Sequence, residues 1–270
     1  MFRALVLGAV QGLTEFLPIS SSAHLVLVPF VLGWETPELA FDVAIHLGTT
    51  LAVVVYFWRE LIGLASGSAR TLVRRGDERD RALARLTLLL AVGSIPAAVV
   101  GLLIRDLVAR LTDRPEIVAL ELLGTAVIIL IGEEVYRRRG AREARDLTRV
   151  GAVDALVVGT MQALAILPGI SRSAATITGG LVRGISRDAS ARFSFLLALP
   201  AIVGAAIVEL PQLAEVDTAT VVASTAVSAA TGFAAIAFLL RYLRTRTMRP
   251  FAAYCALASA VVLALWFGGR

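Results

Sequence analysis

Two short segments of this sequence place hydroxyl and charged side chains between apolar runs. The first is Leu17–Ser22 and the second is Pro168–Ser173. Each delivers serines to the predicted start of a short helix, where free backbone N–H groups and the positive end of the helix dipole favour phosphate. Ordinary N-capping explains the serines alone equally well. The candidate phosphate contacts are Ser20, Ser21 and Ser22 in the first segment and Ser171 and Ser173 in the second.

Arg172 favours the phosphate interpretation over simple capping. A guanidinium deep in a membrane protein is costly and by default indicates a functional site. The planar guanidinium can donate hydrogen bonds to two phosphate oxygens at once. An ion pair with Glu15 is the alternative, and the two roles are compatible.

Glu15 follows Gln11 by one helical turn, so both side chains are predicted on one face of a helix. Their oxygens could help to hold a hard divalent cation, Mg²⁺ or Ca²⁺, with phosphate oxygens and water completing its coordination. Two oxygen ligands do not define a metal site by themselves.

His24 is one of only two histidines and lies within one helical turn of Ser20 and Ser21. It could act as general base toward a hydroxyl nucleophile or as general acid toward a leaving phosphate. A lone histidine on an apolar helix is more often a buried structural residue, but the neighbouring serines favour catalysis. His46 follows Asp42 by one turn and is expected to support the site rather than to catalyse.

The composition predicts a membrane protein. Of the 270 residues 57% are hydrophobic and 17% are charged, whereas soluble domains carry about a quarter charged residues. All 26 basic residues are arginine, and most of them lie in short loops between apolar runs. That distribution is typical of cytoplasmic loops and lacks the basic, aromatic-rich stripe of a nucleic-acid surface. The single cysteine, Cys255, excludes a disulfide within the chain.

The apolar runs predict an all-α fold with six membrane-spanning helices, because about 20 largely apolar residues cross a bilayer. The predicted spans are Leu39–Trp58, Leu86–Ile104, Ile117–Ile131, Phe193–Val208, Ala219–Leu240 and Phe251–Gly269.

Two further stretches, Phe2–Trp34 and Val150–Val182, are each broken by a Pro/Ser segment into two short apolar arms. Irregular backbone at membrane depth survives only where protein or a water-filled cavity satisfies its polar groups. We therefore predict two re-entrant helix–loop–helix elements, each entering and leaving on one side of the membrane.

The charges of the loops fit this topology. Six spans with two re-entrant elements place three arginine-rich loops in the cytoplasm, and two acidic loops and both termini outside. The arginine-rich loops are Arg70–Arg85, Arg137–Arg149 and Arg241–Arg249, and the acidic loops are Glu35–Glu38 and Glu209–Asp217. The loop Arg105–Arg114 is mixed and fits less cleanly.

The two broken stretches resemble each other. Gly8–Ala23 aligns with Gly159–Ala174 at a constant offset, matching glutamine, leucine, Ile-Ser and Ser-Ala positions. Three predicted spans separate the copies, so the second copy must be inverted. We therefore predict a single domain over 1–270, with inverted halves at about 1–149 and 150–270. In such a repeat the two Pro/Ser segments, Leu17–Ser22 and Pro168–Ser173, are the loop tips and are expected to meet near the membrane midplane.

Two motifs resemble those of the undecaprenyl-diphosphatase family, also called bacitracin-resistance proteins. The first is Gln11-Gly-Leu-Thr-Glu-Phe-Leu-Pro-Ile-Ser-Ser-Ser-Ala-His24, and the second is Pro168-Gly-Ile-Ser-Arg-Ser-Ala-Ala-Thr176. The resemblance extends to the segment Phe41–Thr49 and to the chain length and span order, so it covers nearly the whole chain.

The resemblance implies an integral membrane phosphatase that converts undecaprenyl pyrophosphate to undecaprenyl phosphate and inorganic phosphate, recycling the lipid carrier of cell-wall synthesis. It implies a divalent cation and a site open to the outer, periplasmic face of the bacterial plasma membrane. Carried over by position, the resemblance implies that Glu15 and Gln11 form the acidic/amide pair and that Ser21 and His24 form the catalytic pair. It implies that Arg172 binds the pyrophosphate. The second loop is then lined by Ser171, Ser173 and Thr176. Gln11 departs from the glutamate of many members, which could weaken a cation. Ala23 and Ala174 stand where glycine is common, which slightly restricts the loop backbones.

The mechanism predicted from these roles is attack on the terminal phosphorus by Ser21 after His24 removes its proton. Direct attack by His24 or by an activated water is equally compatible with the sequence. A polyprenyl-phosphate transporter or flippase is the alternative function, because inverted repeats and broken helices are typical of transporters. The acid-phosphatase superfamily fits poorly, because no histidine follows Arg172.

The expected partners are a polyprenyl pyrophosphate and membrane lipid, without nucleic acid. The sequence leaves the oligomeric state open, with a homodimer as one possibility.

Overall fold

The computed structural model describes residues 1–35, 39–112, 114–140, 144–209 and 217–268. These residues form helices and connecting turns without a β-strand, and the only bridge pairs Arg145 with Ile185. The predicted all-α class is therefore confirmed for the described part of the chain.

Eleven α-helices follow one another along the described residues. They are α1 Phe2–Phe16, α2 Ser21–Leu32, α3 Leu39–Tyr56, α4 Trp58–Leu72, α5 Glu78–Thr112, α6 Pro115–Arg139, α7 Ala152–Leu164, α8 Arg172–Val182, α9 Arg187–Glu209, α10 Thr218–Leu243 and α11 Arg249–Phe267.

Four of the described helices are long and apolar enough to cross a membrane: α5 over Glu78–Ile104, α6, α10 and α11. They contain three of the six predicted spans in full and the fourth, Phe251–Gly269, as far as Phe267. The predicted span Leu39–Trp58 ends where α3 bends by 71° into α4, and only the bent pair together passes the same test. The sixth predicted span lies in α9, which is not among the four helices.

Some predicted loops lie outside the described residues. These are residues 36–38 and 210–216 of the two acidic loops, residues 141–143 of one arginine-rich loop and residue 113 of the mixed loop.

Both predicted breaks are present. Between α1 and α2 the chain runs through Leu17–Ser20, and between α7 and α8 it runs through Ala165–Ser171. At 12 and 11 residues, α2 and α8 are about 18 and 16 Å long. Each is therefore much shorter than the roughly 30 Å hydrocarbon core of a bilayer.

Close helix contacts fix α1 and α7. A Cβ atom on Gly8 of α1 would lie 2.6 Å from the backbone oxygen of Ser224 in α10. A Cβ atom on Gly159 of α7 would lie 2.0 Å from the backbone oxygen of Gly93 in α5. Only glycine permits these approaches, and Gly8 and Gly159 are aligned positions of the predicted repeat.

The core surrounds the two broken elements. The α8 side chains from Ser173 to Leu181 are all buried, and α8 packs against α6, α7 and α9. Phe16 at the end of α1 meets Phe195 of α9 edge to face, with ring centroids 5.4 Å apart. The loop tips that carry the candidate chemistry thus lie inside the helix bundle.

Candidate active site

The first loop tip is built by the end of α1 and the start of α2. Pro18 restricts the preceding residue to extended backbone, and α1 accordingly ends with Leu17 in that conformation. Ser20 adopts a left-handed φ of 66° and caps α2, its hydroxyl accepting the N–H of Ala23 at 3.4 Å. A left-handed φ at a residue other than glycine is strained and is typical of functional sites.

The second loop tip has the same cap but a different support. Ser171 caps α8, its hydroxyl accepting the N–H of Ala174 at 3.2 Å. Helix α6 holds the loop before this cap. Glu121 accepts the N–H of Gly169 at 2.8 Å, and the Thr125 hydroxyl donates to the Gly169 oxygen at 3.0 Å and accepts the Ser171 N–H at 2.8 Å.

The two tips contact each other directly, as the repeat predicts. The hydroxyl of Ser20 donates to the backbone oxygen of Pro168 at 3.0 Å, and Ser22 donates to the same oxygen. In the reverse direction the hydroxyl of Ser173 donates to the backbone oxygen of Leu17 at 3.0 Å. These bonds join the backbone of each tip to side chains of the other.

Glu15 lies at the junction of the tips and accepts three hydrogen bonds. Ser21 donates its hydroxyl to Oε2 at 2.5 Å, and Gln11 donates its amide to the same oxygen at 3.1 Å. Arg172 donates from Nη2 to Oε1 at 3.0 Å. The ion pair with Arg172 that the sequence suggests is therefore present, and Glu15 joins residues of both tips.

One nitrogen of Arg172 remains available. Its Nη1 is buried and has no hydrogen-bond partner among the described residues. A buried polar group without a partner is unfavourable and calls for an explanation, such as a ligand. The guanidinium can thus keep its bond to Glu15 and still offer a donor to an anion.

A polar cavity of about 160 Å³ lies between the tips, which is the volume of about five water molecules in the liquid. It is lined by Glu15, Ser20, Ser21, Ser22, His46, Ala165, Ile170, Ser171 and Arg172. Most of the predicted site residues therefore surround one cavity. His46, which the sequence suggests only as a supporting residue, also lines it.

Three other predicted site residues make contacts within the protein. Gln11 is fully buried in α1 and reaches Glu15 as described. Ser173 bonds Leu17, and Thr176 donates to the backbone oxygen of Arg172 at 2.7 Å and pairs with Ser194 at 2.6 Å. Thr176 thus holds the first turn of α8, which carries the arginine.

His24 is turned toward α11. Its Nδ1 lies 2.7 Å from the backbone oxygen of Ser20, so Nδ1 carries the hydrogen, and its Nε2 lies 2.7 Å from the Tyr254 hydroxyl, which must then donate. The Tyr254 ring also stacks on His24, with centroids 5.6 Å apart. The hydroxyl of Ser21 is bonded to Glu15 and not to His24, so the predicted Ser21–His24 pair is not formed in this arrangement.

The structure adds residues that the sequence reasoning missed. Glu121 and Thr125 hold the second tip, and Tyr254 holds His24. Glu121 had a detectable signal, because an acid within a predicted span by default indicates function. Thr125 and Tyr254 had none, since their importance follows only from which helix faces which.

A divalent cation can be tested against the groups present. The described residues contain no cluster of three or more His, Cys, Asp or Glu side chains that could hold a metal. However, the buried Oε1 atom of Gln11 has no hydrogen-bond partner among the same residues and belongs to the side chain that bonds Glu15. One carboxylate and one amide oxygen fit a cation whose remaining ligands are substrate phosphates and water. Mg²⁺ is usually bound in this way.

Comparisons with known proteins match the chain along nearly its full length. The family described as "Bacitracin resistance protein BacA" matches residues 4–261. Undecaprenyl-diphosphatase of Moorella thermoacetica is 43% identical over 270 residues, covering 99% of this chain and 98% of the relative. The undecaprenyl-diphosphatases of Thermomicrobium roseum (42% over 271 residues, 97% of each chain) and Chlorobium phaeovibrioides (40% over 273 residues, 98% of this chain and 96% of the relative) are similar.

Proposed function

Because this chain belongs to the bacitracin resistance protein BacA family, we infer that it is an undecaprenyl-diphosphatase. It hydrolyses undecaprenyl pyrophosphate to undecaprenyl phosphate and inorganic phosphate. The observation that carries this conclusion is the identity of 40–43% over nearly the whole length of relatives with that name. The resemblance noted from the two motifs is thereby confirmed for the family.

We propose that the pyrophosphate binds in the polar cavity between the tips. The buried Nη1 atom of Arg172 supports this, because it is a charged donor without a partner among the described residues. The starts of α2 and α8 add serine hydroxyls and helix N-termini, which favour phosphate oxygens. The polyprenyl tail stays in the lipid phase, outside the polar cavity.

Ser21 is the nucleophile in the proposed reaction, and Glu15 accepts its proton. The 2.5 Å hydrogen bond from Ser21 to Glu15 supports this assignment, because a base must lie within hydrogen-bond reach of the proton that it removes. The Ser21 oxygen bonds to the terminal phosphorus, and the bridging P–O bond breaks with its electron pair leaving on undecaprenyl phosphate. Glu15 passes its proton to the leaving undecaprenyl phosphate. Water then attacks the phosphoserine, the bond from phosphorus to the Ser21 oxygen breaks, the Ser21 oxygen takes a proton from the water, and inorganic phosphate leaves.

Arg172 stabilises the charge that develops on the phosphates during this transfer. Phosphoryl transfer depends mainly on positioning and electrostatic stabilisation, which a fixed guanidinium supplies. Nη2 orients the base Glu15 while Nη1 contacts the phosphate, so the two roles suggested for Arg172 operate together. His24 as a catalytic residue stays a prediction, and its bond to the Ser20 oxygen means that it also supports the first tip.

A divalent cation, Mg²⁺ or Ca²⁺, would be held by Glu15 and Gln11 Oε1 together with the pyrophosphate. When bound, it would neutralise phosphate charge. Many family members have glutamate where this chain has Gln11. The protein therefore supplies only one carboxylate, that of Glu15, to the cation site. We therefore expect a cation to bind mainly in the presence of substrate.

We propose the same topology as the sequence analysis: six spans, two re-entrant elements and an inverted repeat, in the bacterial plasma membrane with the cavity open to the outer side. The equivalent serine caps of α2 and α8 and the equivalent close contacts of Gly8 and Gly159 support the repeat. A homodimer stays a prediction, which the mass of the protein–detergent complex would check.

The decisive experiment is phosphate release from undecaprenyl pyrophosphate by the purified protein in detergent. Transport needs two compartments, and detergent removes them. Phosphate release in detergent therefore distinguishes hydrolysis from transport of a lipid phosphate. The names of the relatives favour hydrolysis over transport. Absence of release under conditions in which the protein is folded and binds substrate would overturn the proposed function.

A further inference from the structure

A second cavity of about 560 Å³ lies apart from the polar one and shares no lining residue with it. Its walls are α4, the start of α5 and the short turn Leu147–Arg149, and Leu196 of α9 also lines it. The proposed hydrolysis does not use it.

Helix α4 forms one wall and has the character of a helix at a membrane surface. It leaves α3 at an angle of 71°, and at its start it exposes Trp58 and Ile62, which are 50% and 59% accessible. The guanidinium of Arg59 lies over the Trp58 ring, 5.2 Å from its centroid. Tryptophan and arginine with exposed aliphatic residues are typical of helices that lie in the membrane interface.

The inner part of this cavity is apolar. It is lined by Leu64, Leu83, Leu86, Leu89 and Leu196, with Gly63 in the wall. A cavity lined by aliphatic side chains excludes water and favours a hydrocarbon chain.

The rim of the cavity is basic. Arg59, Arg79 and Arg85 line it, against one acid, Glu60, which lies 3.7 Å from Arg192. Arg85 is fixed there because its Nη2 donates to the backbone oxygen of Val150 at 2.8 Å. The rim thus presents more positive than negative charge beside an apolar interior.

The cavity lies where α5 changes from polar to apolar. Its first residues, from Glu78 to Arg85, contain most of the charge of the helix, and the uncharged run Leu86–Ile104 follows at once. Arg85 at the rim and Leu86 and Leu89 inside are therefore within about one turn of the same helix. A phospholipid has the same order of groups, with a charged phosphate next to its acyl chains.

We propose that this cavity is a binding site for an anionic phospholipid. The headgroup phosphate contacts Arg59 and Arg79 at the rim, and one acyl chain covers the leucines inside. Basic pockets between helices at the membrane surface recognise anionic lipid headgroups in this way. A zwitterionic lipid fits the apolar interior equally well but lacks the net charge that the rim selects.

The test titrates phosphatidylglycerol or phosphatidylcholine into the purified full chain in detergent and counts bound lipids by native mass spectrometry. Wild type should bind phosphatidylglycerol at least about tenfold more tightly than phosphatidylcholine. Arg59→Ala with Arg79→Ala should weaken phosphatidylglycerol binding about thirtyfold, since each surface arginine contributes roughly fivefold. The matched control is Arg74→Ala with Arg75→Ala, in the turn between α4 and α5 and outside the cavity lining. It should leave binding unchanged.

Gly63 allows a test of the apolar interior. A Cβ atom there would meet only the Leu83 side chain, at an ordinary 3.8 Å. Gly63→Ala should therefore keep lipid binding, whereas Gly63→Phe should fill the cavity and abolish binding of both lipids. Both variants should keep wild-type phosphate release, which shows that the protein is folded, because Gly63 does not line the polar cavity.

Equal binding of the two lipids by wild type would overturn the charge recognition. Unchanged binding in Gly63→Phe would overturn the location. If undecaprenyl phosphate displaced phosphatidylglycerol at equal concentration, the cavity would be a site for the polyprenyl phosphate and the phospholipid proposal would be wrong.

Discussion

Replacing Arg172 tests the central contact of the site. Its Nη2 is 3.0 Å from Glu15, and the two side chains are 16% and 7% exposed. Removing one partner of a buried ion pair costs about 3–5 kcal/mol. Because Ser21 and Gln11 still donate to Glu15, we expect Arg172→Ala to lower the free energy of unfolding by about 3 kcal/mol, the low end of that range.

The same change should reduce phosphate release much more than stability alone explains. Loss of one positioned donor to a developing anion typically lowers kcat by about 10²–10³-fold. We therefore expect at least a hundredfold lower kcat for the folded Arg172→Ala protein, measured by phosphate release in detergent below its unfolding temperature.

Arg172→Lys separates the two roles of this side chain. An ammonium keeps the charge next to Glu15, so most of the stability should return. It lacks the planar fork that serves Glu15 and a phosphate together, so kcat should stay at least about tenfold low. Near wild-type kcat in Arg172→Lys would refute simultaneous contact of the guanidinium with Glu15 and the phosphate. Arg172 would then be only the counter-ion of Glu15.

Three further predictions concern the nucleophile, the second tip and a distant ion pair. A phosphoserine should be trapped at Ser21 with labelled substrate, and an adduct that persists in Ser21→Ala would contradict the serine route. Gly169→Ala should abolish most activity and lower the unfolding temperature, because the new Cβ would lie 2.3 Å from the Cβ of Glu121. The control is Gly101→Ala, whose Cβ would meet only a side chain at 3.6 Å and which should behave as wild type. Asp154→Ala should destabilise the protein by about 3 kcal/mol, because two arginines lose their buried partner. The folded fraction of that variant should keep its kcat, and a large loss of kcat would show that this ion pair affects the site.

The broken elements and their chemistry could be predicted because their signals are local. Pro18 marks the end of α1, and the serine Ser20 caps the start of α2. Spacing along one helix also placed Gln11 beside Glu15. The pairing of Glu15 with Arg172 was suggested as the alternative to phosphate binding, because an isolated charge within an apolar bundle is costly.

The partners of the histidines could not be predicted, because they depend on the rotation of whole helices. His24 is within one turn of Ser21 in sequence, but its ring points to Tyr254, 230 positions later. His46 lines the polar cavity although no chemical motif surrounds it in sequence. The bend between α3 and α4 could not be predicted for a related reason. The charged residues Arg59 and Glu60 end the predicted span at Trp58, but they do not show in which direction the chain continues.

Besides their direct hydrogen bonds, the two tips are linked through the pair of helices α6 and α11. Helix α11 holds the first tip through Tyr254 and through Cys255, whose Sγ donates to the Pro18 oxygen at 3.7 Å, while α6 holds the second tip through Glu121. Helices α6 and α11 pack on each other, and the Ser259 hydroxyl of α11 donates to the backbone oxygen of Ala119 in α6 at 2.6 Å. A shift of α11 along α6 would therefore move Ser21 relative to Arg172, because each residue belongs to a tip held by one of these helices. The contact between α6 and α11 therefore adds to the direct hydrogen bonds between the tips in fixing the distance from Ser21 to Arg172.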